Sequence, residues 1–160
     1  MPKPVLIVED EDVFLRNLSN TLLRAGIETV CAGSIAEAQD RLASRDMSLI
    51  CVDVQIGDGN GIDLLRDVRA QNLDIPLVVM TGQDSVANRL RAEEVDVSAF
   101  LAKPFALARF RELLKTLLLH DVNESATLSG PSVLMYSHDT IGLGHMRRNS
   151  NIASEIVRLM

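Results

Sequence analysis

A run of four acids, Glu9, Asp10, Glu11 and Asp12, stands directly after the apolar stretch VLIV at residues 5–8. Adjacent carboxylates repel one another, and crowding them raises the pKa of at least one. An apolar run of this length is typical of a buried strand, so the acids follow the carboxyl end of that strand. The pattern predicts that a cation compensates their charge.

Three more polar residues end apolar runs further along the chain. They are Asp53 after residues 48–52, Thr81 after residues 76–80 and Lys103 after residues 98–102. Parallel α/β sheets bind ligands beyond the carboxyl ends of their strands. We therefore expect these three side chains to share one cleft with Glu9 and Asp10.

The elements that must position these side chains alternate between short apolar strands and amphipathic helices. Strands are predicted at residues 5–8, 27–31, 48–52, 76–80 and 98–102. The first helix carries Phe14, Leu18 and Leu22 at four-residue spacing, and Ser34 caps the second. Five strands that alternate with five helices predict an α/β fold, with a parallel sheet covered on both faces.

The bulk composition narrows the class of protein. The chain has 160 residues, of which 47% are hydrophobic and 24% charged, and its net charge is −6. This length predicts one full domain and part of another. No apolar run approaches the ~20 residues of a membrane span, and no signal-peptide pattern opens the chain. We expect a cytoplasmic location, no nucleic-acid partner and no membrane partner.

Taken together, these residues resemble those of a response-regulator receiver domain, over residues 3–120. The resemblance rests on the acid pair Glu9-Asp10, on Asp53, on the Asp58/Gly59/Gly61 loop, on Thr81, and on LAKPF with Lys103. It implies a doubly wound, flavodoxin-like sheet of five parallel strands in the order 2-1-3-4-5. It also implies a two-component phosphorelay.

The resemblance implies a role for each acid of the site. Asp53 would be the phosphoacceptor, because a carboxylate exposed at a strand end can attack phosphorus and form an acyl phosphate. Asp10, Asp53 and the backbone carbonyl of Gln55 would ligate Mg²⁺, with Glu9 acting through water. Mg²⁺ is usually held by one or two protein carboxylates together with waters and phosphate oxygens.

The resemblance also implies a switch. Lys103 and the hydroxyl of Thr81 would bind the transferred phosphoryl oxygens. Phe100, three residues before the lysine, occupies the position of an aromatic switch residue and would rotate when Thr81 moves in. The Lys103–Pro104 bond is commonly cis in this family.

Some features depart from the family or allow simpler readings. Gly57 stands where the family often has proline, which predicts a looser loop. Gln55 also departs from the family, at a position whose side chain we expect to face the acid site. Glu11 and Asp12 could serve only to cap the first helix. Thr81 alone could be just a turn residue.

The tail beyond His120 does not fit a receiver. Residues 121–131 are polar, contain Ser, Gly and Pro, and predict a linker. Residues 132–160 predict a strand, a glycine turn and a helix, which resemble the start of nucleotide-sugar glycosyltransferases. Gly142, Gly144 and His145 would form a candidate phosphate loop there. The alternative is an amphipathic extension that packs on the receiver. Since one strand and one helix cannot bury a core alone, we expect the segment to dock on the receiver sheet or on another copy of the chain, or else to fray.

Three functions follow from these patterns. The first is a receiver that takes a phosphoryl group from a histidine kinase or phosphotransfer protein and is otherwise no enzyme. The second is a pseudo-receiver that only binds partners. The third is the regulatory domain of a glycosyltransferase, cut after its first strand–helix unit.

The resemblance further implies a homodimer through the fourth helix, fifth strand and fifth helix.

Overall fold

The computed structural model describes residues 3–71, 74–124 and 141–142, in which strands alternate with helices. All five predicted strands are present, with bounds displaced by no more than two residues. The elements are β1 (Val5–Val8), α1 (Asp12–Leu23), β2 (Thr29–Ala32), α2 (Ile35–Ser44), β3 (Leu49–Asp53), β4 (Gln55–Ile56), β5 (Gly59–Asn60), α3 (Gly61–Ala70), β6 (Leu77–Thr81), α4 (Val86–Glu94), β7 (Ala99–Ala102), α5 (Leu107–Glu124) and β8 (Ile141–Gly142).

The main sheet has the strand order β2-β1-β3-β6-β7-β8. The first five of these strands are parallel, so the predicted order 2-1-3-4-5 is confirmed. β8 adds an antiparallel edge, in which Gly142 lies opposite Phe100. The chain changes direction across the sheet between β1 and β3, and such a switch point is where doubly wound sheets form their ligand crevice.

Alternate side chains of the strands pack into two apolar cores, one on each face of the sheet. On one face, α2, α3 and α4 cover Leu6 and Val8 of β1. On the other face, α1 and α5 cover Val5 and Ile7. Because both faces are covered by helices, the strand ends remain as the place where polar side chains can meet.

The first two helices begin in different ways. Ser34 caps α2 as predicted, because its side chain accepts a hydrogen bond of 3.1 Å from the backbone N–H of Glu37. Glu11 is the N-cap residue of α1, but its side chain makes no capping hydrogen bond. Asp12 lies in the first turn, 3.8 Å from Arg16. Capping by Glu11 therefore does not explain the acid run.

Two features differ from the sequence predictions. The glycine-rich loop contains a short antiparallel hairpin, in which β4 pairs with β5. No apolar periodicity in the sequence predicts this hairpin. Helix α5 continues to Glu124, into the stretch predicted as a linker, since residues 121–124 include neither glycine nor proline. The strand predicted at residues 132–137 and the helix after it lie outside the described residues.

None of the helices in the described part of the chain combines the length and the apolar character that crossing a bilayer requires.

Candidate functional site

The carboxyl ends of four parallel strands lie side by side at one edge of the sheet. The register places Val8 of β1 beside Val52 of β3, and Val52 beside Val79 of β6. Thr81 of β6 pairs with Ala102 of β7. The side chains that the sequence places at this edge are Glu9 and Asp10 after β1, Asp53 at the end of β3, Thr81 at the end of β6, and Lys103 after β7.

Lys103 joins two of the acids directly. Its Nζ donates hydrogen bonds to Oε2 of Glu9 at 2.6 Å and to Oδ2 of Asp53 at 2.5 Å. The exposed fractions of the three side chains are 19% for Lys103, 2% for Glu9 and 11% for Asp53. An ammonium between two carboxylates offsets their repulsion. Within the described residues, Lys103 thus offsets the charge of Glu9, the first acid of the run.

Burial and hydrogen bonding within this cluster shift two of its pKa values. Burial raises the pKa of the Glu9 carboxyl, and the charge of Asp53 adds to this, although Lys103 acts in the opposite direction. Burial alone would lower the pKa of the Lys103 ammonium, but its hydrogen bonds to Asp53 and Glu9 outweigh burial and raise it. The site therefore holds a permanent positive charge beside Asp53 at neutral pH.

The loop after β3 holds Asp53 and Asp10 from the backbone. The N–H of Gln55 donates to Oδ1 of Asp53 at 3.1 Å, and the N–H of Gly57 donates to Oδ2 of Asp10 at 3.0 Å. Proline has no N–H, so the residue common in the family at position 57 could not make the second bond. The loop is therefore tied to the site at Gly57 by a bond that proline would not allow.

The turn between β4 and β5 is anchored to the next helix. Asp58 accepts hydrogen bonds from the backbone N–H groups of Ile35 at 2.8 Å and Ala36 at 3.1 Å, in the first turn of α2. The bond from Ile35 is the larger cause of a lowered pKa of the Asp58 carboxyl, followed by the bond from Ala36. Asp58, part of the family loop motif, thus fixes the hairpin.

Gly61 begins α3 directly against the strand that carries Asp53. A Cβ at this position would collide with the backbone of Asp53 and with the side chain of Val52. The side chain of Asn60, the N-cap of α3, accepts a hydrogen bond of 2.9 Å from the N–H of Ile62. Glycine is therefore needed for the close approach of helix and strand that holds Asp53 at the edge.

The side chains of Thr81 and Phe100 contact the loop after β6 and helix α4, respectively. The Thr81 hydroxyl donates to the carbonyl of Gln83 at 3.1 Å and accepts from its N–H at 3.0 Å. Phe100 is buried, and the guanidinium of Arg89 lies 4.9 Å from the centre of its ring. Asp84 holds that guanidinium through two hydrogen bonds. No pattern in the sequence indicated this contact of Arg89 with Phe100.

The side chain of Phe14, which the sequence predicts only as part of the apolar face of α1, lies beside the acid and lysine site. The Nζ of Lys103 lies 4.6 Å from the centre of the Phe14 ring. Phe14 contacts Phe105, which follows the cis Lys103–Pro104 bond, and Phe105 stacks on the buried Phe110. In the sequence, the one sign of this contact was an aromatic residue two positions after the acid run.

Of the three residues of the candidate phosphate loop, the structure describes Gly142. Gly142 lies in β8, opposite Phe100. Gly144 and His145 lie outside the described residues.

The donor set at the sheet edge fits a hard divalent cation. The described residues include no group of three or more His, Cys, Asp and Glu side chains that could hold a metal ion alone. Mg²⁺ does not need such a cage, because it usually binds one or two carboxylates with waters and phosphate oxygens. Asp10 and Asp53, both held by backbone N–H groups of one loop, are carboxylates of this kind.

These features define a doubly wound α/β domain with an acid and lysine site at the carboxyl edge of its sheet. The family model of the response regulator receiver domain matches residues 5–115. The chain belongs to the response regulator receiver domain family.

Curated relatives agree with this family. The transcriptional regulatory protein PmrA of Pectobacterium parmentieri is 31% identical over 121 residues, which are 76% of this chain and 54% of that protein. The response regulator MprA of Mycolicibacterium vanbaalenii is 31% identical over 134 residues, 81% of this chain and 58% of that protein. The chain spans about half the length of these relatives.

A solved structure agrees with the fold. The CheY-like response regulator receiver domain protein from Methanospirillum hungatei JF-1 has a TM-score of 0.74 and 22% identity, over 78% of this chain and 99% of that chain. The β2-β1-β3-β6-β7 sheet with helices on both faces is thus a fold that solved receiver domains share.

Proposed function

We propose that this chain accepts a phosphoryl group on Asp53 from a histidine kinase or phosphotransfer protein, in a reaction that depends on Mg²⁺. The observation that carries the proposal is the contact of Lys103 with Asp53. It places a charged ammonium 2.5 Å from a carboxylate oxygen at a strand end. Phosphoryl transfer depends mostly on positioning and on neutralising charge, and this pair offers both.

The proposed reaction forms one bond and breaks one. A carboxylate oxygen of Asp53 attacks phosphorus, and the bond from phosphorus to the donor atom breaks, leaving an acyl phosphate on Asp53. The Lys103 ammonium exchanges its bond to Asp53 for one to a phosphoryl oxygen and so balances the added negative charge. Glu9, hydrogen-bonded to the same ammonium, keeps it at the site during this exchange.

The acids beside Asp53 are the proposed metal site. Asp10, Asp53 and the backbone carbonyl of Gln55 would hold Mg²⁺, with Glu9 acting through water. Bound there, Mg²⁺ supplies charge neutralisation for the phosphoryl oxygens. The hydrogen bond from Gly57 keeps the Asp10 carboxylate at the loop.

Switching would start from the hydroxyl of Thr81. Among the described residues, this hydroxyl bonds within its own loop, to the backbone of Gln83. A phosphoryl group on Asp53 would draw it away from Gln83, and Phe100 and the Arg89 that covers it would then rearrange. The face of α4, β7 and α5 would carry this change to a partner.

A second copy of the chain is the partner we propose for that face. The beryllofluoride-activated NtrC4 receiver domain, solved as a dimer, is 28% identical with a TM-score of 0.68, over 73% of this chain and 97% of that chain. Val86 and Leu90, one turn apart on α4, leave 74% and 55% of their surface exposed.

We place the signalling reaction in the cytoplasm. The relatives reported above are regulators, and we propose no transferase activity for this chain.

Intact mass measurement tests the proposal. The parent chain, incubated with Mg²⁺ and a small acyl-phosphate donor, should gain the mass of one phosphate. Asp53→Asn, which keeps the size of the side chain and removes the nucleophile, should gain none, and EDTA should prevent the gain in the parent. If the parent gains no phosphate under any condition, the chain is a pseudo-receiver.

A further inference from the structure

The Lys103 ammonium is confined on three sides. Glu9 and Asp53 each accept one of its hydrogen bonds, and the ring of Phe14 lies 4.6 Å away. We infer that Phe14 is a positioning residue, whose ring holds the Lys103 ammonium in the cleft so that it can follow the phosphoryl group. This inference rests on the proposed function and assigns to that site a residue from outside the family motif.

The Phe14 ring is itself held in place. Phe14 packs on Phe105 with ring centres 5.7 Å apart and planes at 58°, and Phe105 stacks on Phe110 at 5.8 Å and 22°. Phe110 is fully buried in the core between the sheet, α1 and α5. The neighbour of Phe14 in α1, Leu15, packs into the same core. The ring therefore offers a fixed surface to the lysine.

A ring face suits this task better than a third carboxylate would. An ammonium over an aromatic ring is attracted by the negative face of the π system. The ring accepts no strong hydrogen bond, so it does not compete with phosphoryl oxygens for the N–H groups of the lysine. The four-carbon stem of lysine is flexible, and without the ring it could swing toward solvent. Phe14 thus favours the cleft but leaves the lysine free to change partners.

The alternative is that Phe14 only fills space beside α5. A graded series of fluorinated phenylalanines at position 14 separates the two roles, because fluorine withdraws electron density from the ring and changes its shape little. The same series at Phe110, whose ring stacks on Phe105 in the core, is the matched control. Phe14→Leu and Phe14→Tyr complete the set as loss and rescue of the ring.

The phosphorylation rate with a small acyl-phosphate donor and Mg²⁺ is the first readout. We expect the rate to fall stepwise along the position-14 series, by roughly 2-fold to 10-fold at its end. Phe14→Leu should lose at least as much, Phe14→Tyr should stay near the parent, and the Phe110 series should be flat. A flat position-14 series, with the parent active, would overturn the inference and leave the proposed function standing.

The second readout needs no phosphorylation. The ring current of Phe14 should displace the NMR signals of the Lys103 ε-methylene protons, and Phe14→Leu should return them to ordinary lysine values, while Phe14→Tyr keeps them displaced. Undisplaced signals in the parent would overturn the inference even if the rates changed. If the parent takes no phosphate but its signals are displaced, the proposed function fails, and the placement of the lysine by Phe14 still stands.

Discussion

Lys103 and Asp53 lie fifty positions apart in the chain, and Nζ of the first donates a 2.5 Å hydrogen bond to Oδ2 of the second. Both side chains are mostly buried, and Glu9, which also binds the lysine, is almost completely so. Two carboxylates that share one ammonium group would repel each other without it. The three charged groups therefore stabilise one another, and removal of the lysine should change the stability of the fold.

Lys103→Met should destabilise the fold at neutral pH. It leaves two carboxylates facing each other, and breaking a buried charge pair costs several kcal/mol; the partial exposure of this one reduces the expected loss to about 2 kcal/mol. Lys115→Met, which replaces a half-buried lysine on α5, should cost far less. Urea unfolding at pH 7 measures both free energies of unfolding.

The loss in Lys103→Met should also depend on pH. Lys103 lowers the pKa of Glu9 against the effect of burial, so its removal raises that pKa further. A carboxyl with a raised folded-state pKa binds its proton more readily folded than unfolded, and stability then falls as pH rises. The gap between parent and variant should therefore shrink when unfolding is repeated near pH 4. A gap independent of pH would contradict this account of Glu9.

Gly57→Pro should weaken Mg²⁺ binding, because proline removes the N–H that holds Asp10. The expected rise in the dissociation constant is several-fold, toward the ~10-fold or more seen when partners of metal ligands are lost. Gly57→Ala is the control, since it keeps the N–H and its Cβ would stand in ordinary contact, 3.5 Å from Asp10. Titration calorimetry compares the two, and equal affinities would show that this bond does not position Asp10.

Gly61→Ala should destabilise the domain and disturb the placement of Asp53. The added Cβ meets the backbone of Asp53, which cannot move aside as a flexible side chain would. Overpacking of this kind costs about 1–3 kcal/mol or more. Gly82→Ala is the control, because nothing lies within 4 Å of a Cβ there. Thermal unfolding should show a large drop for the first variant and little change for the second; similar drops would refute the steric account.

Asp58→Asn should lower stability at pH 7 and make little difference in acid. The pKa of Asp58 is lowered by bonds from the α2 backbone, so its stabilisation is complete above the ordinary aspartate pKa of about 3.9 and is lost as pH falls through the folded-state pKa. Asp40→Asn, on the exposed face of the same helix, serves as the control. Unfolding midpoints at pH 7 and pH 3 test this, and an undiminished difference at pH 3 would contradict it.

The sequence was sufficient to predict the sheet and the edge where the site lies. Strands such as VLIV are short, apolar and followed by polar residues, so their carboxyl ends could be located and their parallel order expected. Ser34 was recognisable as a cap for the same reason: it makes a local contact, three residues away. Features that depend on spacing along one element are accessible to this kind of reasoning.

Contacts between distant elements were not accessible in the same way. The bond from Gly57 to Asp10 joins a backbone N–H to a side chain across the site. The sequence does not predict it, because a glycine in a loop indicates only flexibility. Phe14 matches the apolar periodicity of α1, which hides its contact with Lys103. The pairing of Arg89 with Phe100 and Asp84 depends on how α4 lies over β7. Such contacts are set by packing, which one sequence does not display.

The most direct test of the account is chemical identification of the phosphorylated residue. Borohydride reduces an aspartyl phosphate to homoserine, so reduction of the phosphorylated chain followed by peptide sequencing locates the acceptor. The account predicts homoserine at position 53 in a Mg²⁺-dependent yield, with Glu9 and Asp10 unchanged. Homoserine at position 10 or 12 instead, or none in a chain that carries phosphate, would contradict it.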